Sequence, residues 1–170
     1  AIVNHENLSL NRWYDLKTAI DKDDNLYSDE AEAADSLERE LKNVISLQSI
    51  SDVPLGAFLS GGVDSSAIVS LMQQESMKPT KTFTIGFEDP QYDESQYALE
   101  VANYLGTDHT ELIVTSEDAL SIIPDLPEIY DEPFADSSQI PTYFVCKSAK
   151  QEVTVALSGD AGDELFGGYN

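Results

Sequence analysis

The sequence predicts an α/β fold in which a parallel β-sheet carries helices on both faces. Short apolar runs typical of buried strands alternate with segments of helical periodicity along most of the chain. Glycine-rich turns follow two of the predicted strands directly. Strands that alternate with helices form parallel sheets, because each connecting helix packs on a face of the sheet. We therefore expect ligands to bind beyond the carboxyl ends of the strands.

Four strands are predicted from short runs of apolar residues that end at turn residues. They lie at residues 55–59, 82–87, 109–114 and 153–157. The first run is followed by the adjacent pair Gly61 and Gly62, and the fourth run is followed by Gly159. Since the carboxyl ends of parallel strands meet at one edge of a sheet, we expect both glycine-bearing loops at that edge.

The predicted helices are segments in which apolar residues recur at intervals of three and four positions. They lie at residues 29–48, 66–74, 93–106, 116–123 and 140–150. Asp93 and Gln96 have the spacing of a capping box, Gly106 is a helix stop, and Ser116 is the predicted cap of the short helix. Residues 1–27 show no clean periodicity, and we expect an irregular linker there.

Charge and composition exclude several classes of function. The chain has 32 acidic and 9 basic residues, and its net charge of -23 repels polyanions, so nucleic acid is not an expected partner. No apolar run approaches the roughly 18 residues that cross a bilayer. Together with the lack of a signal-peptide pattern, this predicts a cytoplasmic protein with no membrane partner. The single cysteine, Cys146, excludes an internal disulfide, and we expect a buried structural thiol.

The loop after the first predicted strand reads SGGVDSS from residue 60 to residue 66. Adjacent glycines let a phosphate approach the backbone, and the N–H groups of the following helix point at it. Asp64 would repel a bare phosphate, so we expect a Mg²⁺ ion between them. The loop is not a Walker loop, because no Gly-Lys-Ser/Thr follows, and its adjacent glycines exclude GxGxxG. A polar turn without function is the alternative, which the strand-to-helix context disfavours.

The loop after the fourth predicted strand reads SGDAGDELFGGY from residue 158 to residue 169. Its spaced acids suit Mg²⁺, although an acidic surface loop explains this segment equally well when it is taken alone. Together with VPLGAFLSGGVDSS at residues 53–66, the segment resembles the two signatures of the asparagine synthetase family. The resemblance runs from about residue 10 to the end of the sequence, and SGGVDSS is similar to the loop of the ATP-pyrophosphatase (PP-loop) superfamily.

The resemblance implies a Rossmann-like fold of the adenine nucleotide alpha hydrolase type, with ATP and Mg²⁺ as cofactors. It assigns Asp64 and Asp163 to the metal. The residues that match the pyrophosphate loop are Ser60, Gly61, Gly62, Ser65 and Ser66. The residues that match other nucleotide-binding positions are Leu59, Ile85, Gly86, Ser158 and Gly159. Asp160 matches a catalytic acid, glutamate in many members, that is associated with the adenylated intermediate and the incoming ammonia.

The resemblance also implies ATP-dependent amide synthesis, in which a carboxylate is adenylated and ammonia then displaces AMP. We expect aspartate as the carboxylate and glutamine as the nitrogen source, with ammonia delivered by a glutaminase domain that this sequence lacks. Residues 28–170 would be an incomplete ATP-pyrophosphatase synthetase domain, inactive alone, and residues 132–138 resemble a segment beside the substrate site. A sugar acid, a peptide or a β-lactam precursor as substrate, and a nucleotide-binding module without catalysis, remain open. The oligomeric state also remains open, and a homodimer is one alternative.

Overall fold

The computed structural model describes residues 2–3, 8–10, 12–20, 27–132 and 135–168. The chain divides into two units, residues 1–38 and residues 39–170. The first unit contains the antiparallel strands β1 (Ile2–Val3) and β2 (Leu8–Ser9) and the helix α1 (Leu16–Ile20). The linker expected at the amino terminus therefore contains short regular elements. Elements of two to five residues are too short to show as periodicity in a sequence.

A four-stranded parallel sheet forms the centre of the second unit. Its strands are β3 (Leu55–Phe58), β4 (Lys81–Phe87), β5 (Asp108–Val114) and β6 (Val155–Leu157). Their order is β5-β4-β3-β6, with parallel pairing throughout, and every predicted strand is confirmed to within two residues at each end. The chain proceeds from β3 to β5 and then returns to the other side of β3. The direction of winding thus reverses between β3 and β6, which is the ligand-binding position of such sheets.

Helices follow or precede each of these strands. They are α2 (Glu30–Gln48), α3 (Val63–Glu75), α4 (Ser95–Leu105), α5 (Ser116–Ile122), a 3₁₀ turn (Ile123–Asp125), α6 (Leu126–Ile129), α7 (Gln139–Ala149) and α8 (Gly162–Phe166). The helix α3 begins three residues earlier than predicted, so its first turn belongs to the glycine loop. Within the described part of the chain, no helix is both long and apolar enough to cross a membrane.

Both faces of the sheet are covered, which confirms the predicted parallel α/β architecture. Ala57 on β3 packs with residues of α2, α3 and α4, whereas the next residue, Phe58, packs on the opposite face. Successive side chains of a strand point to opposite faces, so β3 contributes to two separate cores. On the second face, Phe83 contacts Ala149 and Val153, and Phe83 is 1% exposed.

The capping box predicted at the start of α4 is wrong. Gln96 lies inside the helix, which begins at Ser95 without a side-chain cap from the preceding residue. Asp93 instead joins the end of β4 to the start of α4, because its Oδ1 accepts the N–H groups of Ser95 at 3.1 Å and Phe87 at 3.4 Å. Gly106 ends α4 as predicted, with the left-handed φ of 71° that favours glycine.

The cap predicted for α5 is displaced by one residue. Thr115, not Ser116, precedes the helix, and its Oγ1 accepts the N–H of Asp118 at 3.0 Å. Asp118 Oδ2 in turn accepts the N–H of Thr115 at 3.0 Å, which completes a capping box. The Thr-x-x-Asp spacing of residues 115–118 begins one position before Ser116, the predicted cap.

The carboxylate of Asp93 is predicted to make the stability of the fold depend on pH. The pKa of its carboxyl lies below the usual value, chiefly because the N–H of Ser95 donates to the charged form. The unfolded chain, with an Asp pKa of about 3.9, then takes up a proton first as the pH falls. Asp93 therefore stabilises the fold above about pH 4, and this contribution is lost as the pH falls through the lower folded pKa. We expect Asp93→Ala to lower the free energy of unfolding at neutral pH by about 1 kcal/mol.

Urea denaturation at a series of pH values measures this effect. The stability difference between the wild type and Asp93→Ala should shrink below about pH 4, where the wild type loses its advantage. Glu88→Ala is the matched control, because Glu88 is an acid in the same loop that accepts no such hydrogen bonds among the described residues. A difference that stays constant from neutral pH to about pH 3 would contradict the assignment.

Candidate active site

A cavity of about 900 Å³ lies at the carboxyl ends of β3 and β6, where the direction of winding reverses. Most of the site residues predicted from the sequence line this cavity. They are Leu59, Ser60, Gly62, Asp64, Ser65, Ile85, Ser158, Gly159, Asp160 and Asp163. Two motifs that are nearly a hundred residues apart in the sequence therefore line the same cavity.

The two glycine-bearing loops approach each other through their backbones. A Cβ atom on Gly159 would lie 2.7 Å from the backbone N of Ser65 and 3.0 Å from the carbonyl carbon of Asp64. Real Cβ atoms do not approach backbone atoms this closely, so the position requires glycine. Gly162 contacts the second component of this junction, the side-chain carboxylate of Asp64. The second loop, with Asp163 directly after Gly162, is thereby held against the first turn of α3.

Serine hydroxyls organise the first loop. Ser65 Oγ accepts the N–H of Ser60 at 3.1 Å and lies 2.9 Å from Ser60 Oγ. The residue before α3 is Gly62, which has no side chain that could accept a hydrogen bond. Among the described residues, the first N–H groups of this 13-residue helix therefore have no side-chain cap. Exposed N–H groups at a helix N-terminus attract anions, and the helix dipole adds to the attraction. The loop therefore suits a phosphate group.

Carboxylates are the charged groups of this cavity. The acidic lining residues are Asp64, Glu94, Asp160, Asp163 and Glu164. Over the described ranges of the chain, no lysine, arginine or histidine lines it. A polyphosphate would thus meet backbone N–H groups and acids, and it fits only with a cation bound between it and the acids.

Asp64 and Asp163 fit such a cation as partial ligands. Among residues with described positions, no group of three or more His, Cys, Asp or Glu side chains could hold a metal. Mg²⁺ prefers six oxygen ligands and commonly takes one or two carboxylates, with phosphates and water completing the shell. Two carboxylates beside an anion-attracting helix terminus match that pattern better than they match a site made of protein ligands alone.

Three predicted nucleotide-binding residues do not line the cavity. Gly61 has a φ of +82° and packs on the first turn of α4, where a Cβ would lie 2.7 Å from the N of Ala98. Ser66 Oγ is buried and makes no hydrogen bond to a described residue. Gly86 packs against Ser95, since a Cβ there would lie 2.9 Å from Ser95 Oγ. Gly61 and Gly86 pack closely against α4, and the predicted contacts of all three residues with the nucleotide stay predictions.

Sequence reasoning missed the apolar side of the cavity. The lining residues on this side come from the strand ends, the loop after β4 and one face of α7. They are Phe58, Phe83, Thr84, Phe87, Tyr92, Pro141, Thr142 and Val145. Two signals were available. Residues 83, 85 and 87 alternate along β4 and share a face, and residues 141 and 145 are four positions apart on one helix face.

Cys146, His109 and the described residues of the segment 132–138 lie outside the cavity lining. The prediction that Cys146 is buried is wrong, because its side chain is exposed on α7, although partial desolvation still raises the pKa of the thiol. His109 Nδ1 lies 2.9 Å from Thr82 Oγ1, and burial lowers the pKa of its ring. In the segment 132–138, Pro133 and Phe134 lie outside the described residues, and the described members do not line the cavity.

Comparison with known sequences identifies one family. A family model of asparagine synthase matches residues 36–170. Asparagine synthetase 1 (glutamine-hydrolyzing) of Bacillus subtilis is 44% identical over 140 residues, which cover 80% of this chain and 22% of that protein. Asparagine synthetase B (glutamine-hydrolyzing) of Escherichia coli is 31% identical over 174 residues, which cover 92% of this chain and 29% of that protein. The chain thus spans about a quarter of the length of these relatives.

Comparison with solved structures extends the similarity of fold. An NMN synthetase from Francisella tularensis matches with a TM-score of 0.56 at 19% identity, over 80% of this chain and 58% of that chain. An NH3-dependent NAD synthetase from Campylobacter jejuni matches with a TM-score of 0.52 at 13% identity, over 80% of this chain and 60% of that chain. At these identities the similarity concerns the fold alone, and it agrees with the α/β architecture predicted from the sequence.

Proposed function

This chain belongs to the asparagine synthase family, and we propose that it provides the part of an amide-forming ligase that binds Mg-ATP and activates a carboxylate as its adenylate. The contact between the two glycine loops carries the proposal. Gly159 packs on the backbone at Ser65. An anion-attracting helix terminus and the acidic side chains of both loops therefore line one cavity. Such an arrangement favours a metal-bound polyphosphate over a neutral ligand.

In the proposed complex, the phosphates of ATP lie at the first loop and at the amino end of α3. Asp64 and Asp163 would hold Mg²⁺, which would supply positive charge beside the phosphate oxygens as pyrophosphate is displaced. The apolar side of the cavity, with Ile85 and Phe87, would cover the nucleoside. The volume of about 900 Å³ lies within the range of small-molecule sites, so a nucleotide and a small carboxylate can share it.

The proposed reaction has two steps. An oxygen of the substrate carboxylate bonds to the α-phosphorus, and the bond from that phosphorus to pyrophosphate breaks. Ammonia then attacks the acyl carbon, the bond from that carbon to AMP breaks, and a proton passes from nitrogen to the carboxylate of Asp160. The chain contributes by orienting the reactants and by placing N–H groups opposite the charge of the departing pyrophosphate.

Aspartate is the proposed carboxylate substrate, and glutamine is the proposed source of ammonia. The support is that the relatives from Bacillus subtilis and Escherichia coli are described as glutamine-hydrolyzing asparagine synthetases. Glutamine hydrolysis would take place in a separate domain of the complete polypeptide, and ammonia would then reach the cavity. The cytoplasm, which contains ATP, aspartate and glutamine, is the proposed location.

Pyrophosphate exchange tests this function in the complete polypeptide that the gene encodes. With ATP and Mg²⁺ present, we expect aspartate to promote exchange of labelled pyrophosphate into ATP, and we expect AMP and asparagine once ammonium is added. Glutamate, a sugar acid and a β-amino acid serve as comparison substrates. If one of these compounds promotes exchange and aspartate does not, that compound replaces aspartate as the proposed substrate. Release of ADP and phosphate, or ATP binding without exchange for any carboxylate, would contradict the proposed reaction.

A further inference from the structure

The loop that joins β4 to α4, residues 88–94, contributes one aromatic side chain to the cavity. Tyr92 lines the cavity and is nevertheless 70% exposed. Among the described residues, its ring pairs with no other aromatic ring, and its hydroxyl makes no hydrogen bond. The ring therefore contributes little to the packing of the fold, and most of its surface is available to a ligand.

Hydrogen bonds hold the backbone of this loop on both sides of Tyr92. The N–H of Tyr92 donates to the carbonyl of Asp89 at 3.0 Å, and Asp89 Oδ1 accepts the N–H of Gln91 at 3.0 Å. The next residue, Asp93, joins the end of β4 to the start of α4 through its two hydrogen bonds from backbone N–H groups. Because the backbone is already fixed, a ligand that contacts the ring has to order little more than its side-chain torsions.

Tyr92 lies on the apolar side of the cavity, which is formed by β4, the loop after it and α7. Four of the five described acids that line the cavity belong to the two glycine loops, where the metal and the phosphates are proposed to bind. The fifth acid, Glu94, lies two residues after Tyr92 in the sequence. Since a carboxylate repels phosphate, the uncharged end of a nucleotide is the part that fits beside Tyr92.

We propose that Tyr92 stacks on the base of the bound nucleotide and supplies part of the affinity for its nucleoside end. This inference rests on the function proposed above, which places the phosphates at the glycine loops. A base is flat, uncharged and aromatic, so a tyrosine ring that lies against its face is attracted to it. A small amino acid substrate such as aspartate is charged at each end and has no such face, so it gains much less from the ring.

A contact with the base distinguishes the ligands of the proposed reaction from one another. Pyrophosphate has the phosphate chemistry of ATP but no base, so stacking favours ATP over this product. Every base has an aromatic face, and stacking alone therefore does not select adenine over guanine. We expect Tyr92 to discriminate between nucleotides and inorganic polyphosphates, and not between purine nucleotides.

Calorimetric titration of the complete polypeptide with Mg-ATP and with Mg-tripolyphosphate tests this contact, because tripolyphosphate has the three phosphates without the base. Tyr92→Ala should weaken binding of Mg-ATP about tenfold, as expected for one base-stacking contact, and change binding of Mg-tripolyphosphate by less than about twofold. Tyr92→Phe keeps the ring and should bind Mg-ATP as the wild type does. Tyr92→Leu keeps an apolar side chain without an aromatic face, so it should lose most of the same affinity.

Tyr104→Ala is the matched control for Tyr92→Ala. Tyr104 is an exposed tyrosine on α4 outside the cavity lining, so we expect its replacement to leave the affinity for Mg-ATP unchanged. Urea denaturation of Tyr92→Ala should give the wild-type midpoint, because the ring is largely exposed. A lower midpoint, together with equal losses of affinity for both ligands, would make Tyr92 a support of the loop and overturn the inference.

The outcomes separate this inference from the proposed function. A wild-type protein that binds Mg-tripolyphosphate as tightly as Mg-ATP would overturn the contact with the base, while the proposed phosphate site would stand. Unchanged affinity for Mg-ATP in Tyr92→Ala, or full affinity in Tyr92→Leu, would also overturn stacking. A wild-type protein that binds neither ligand would overturn the proposed function, and this inference with it.

Discussion

Replacing Asp64 by alanine is expected to weaken Mg²⁺-dependent ATP binding by roughly a hundredfold or more, since a bound metal contributes several kcal/mol of charge stabilisation at phosphate oxygens. Asp64 lies in the first turn of α3, and its carboxylate contacts Gly162 of the second loop. Because no basic side chain among the described residues lines the cavity, loss of this ligand leaves the polyphosphate opposite the remaining acids. Calorimetric titration of ATP into the chain, with and without Mg²⁺, measures the effect.

Glu75→Ala provides the matched control for Asp64→Ala. Glu75 is an exposed acid in the last turn of the same helix and lies outside the cavity lining, so its replacement changes the net charge equally. We expect its ATP affinity to equal that of the wild type. If both variants bind ATP with the wild-type affinity, and Asp64→Ala keeps the wild-type dependence on Mg²⁺, Asp64 is not a metal ligand.

Phe83→Ala is expected to lower the free energy of unfolding by about 3–5 kcal/mol, the usual cost of removing a buried aromatic side chain from a core. Phe83 is 1% exposed and packs with Phe58, Ala149 and Val153, between β4 and α7. Alanine would leave a void that the neighbouring backbone cannot fill, because the strands are fixed by their hydrogen bonds. Urea denaturation at neutral pH measures the difference.

Tyr104→Ala is the control for that substitution. Tyr104 is an aromatic residue on α4 that is 90% exposed, so its removal opens no void. We expect its stability to stay within about 0.5 kcal/mol of the wild type. A loss below about 1 kcal/mol in Phe83→Ala would indicate that this core is loosely packed and that the contacts of Phe83 contribute little.

Local sequence patterns predicted the strands and the two glycine loops, because the forces that define them act over a few residues. The apolar run before Gly61 and the run before Gly159 each end where a turn residue follows. The order of the strands could not be predicted in this way. Whether β6 pairs with β3 or with β5 depends on packing between segments far apart in the chain, and no short pattern records that choice.

The errors also have physical causes. The cap of α5 is set locally, because Asp118 lies three residues after Thr115 and completes a capping box with it, whereas Ala119 lies three residues after Ser116 and cannot. Cys146 lies among apolar residues in the sequence, yet the rotation of α7 turns Phe144 inward and leaves Cys146 exposed. The apolar side of the cavity was missed because a residue such as Val145 acquires its role only when α7 packs across the ends of the strands.

The pairing of Leu55 with Val155 joins positions one hundred residues apart in the chain. Contacts of such separation form late in folding, because the entropy of closing a long loop opposes them until intervening segments have folded. During synthesis, one edge of β3 therefore remains unpaired until β6 has emerged from the ribosome. A ligand that bridges the two loops would bind only the completed sheet, and it would shift the folding equilibrium toward that state in proportion to its concentration.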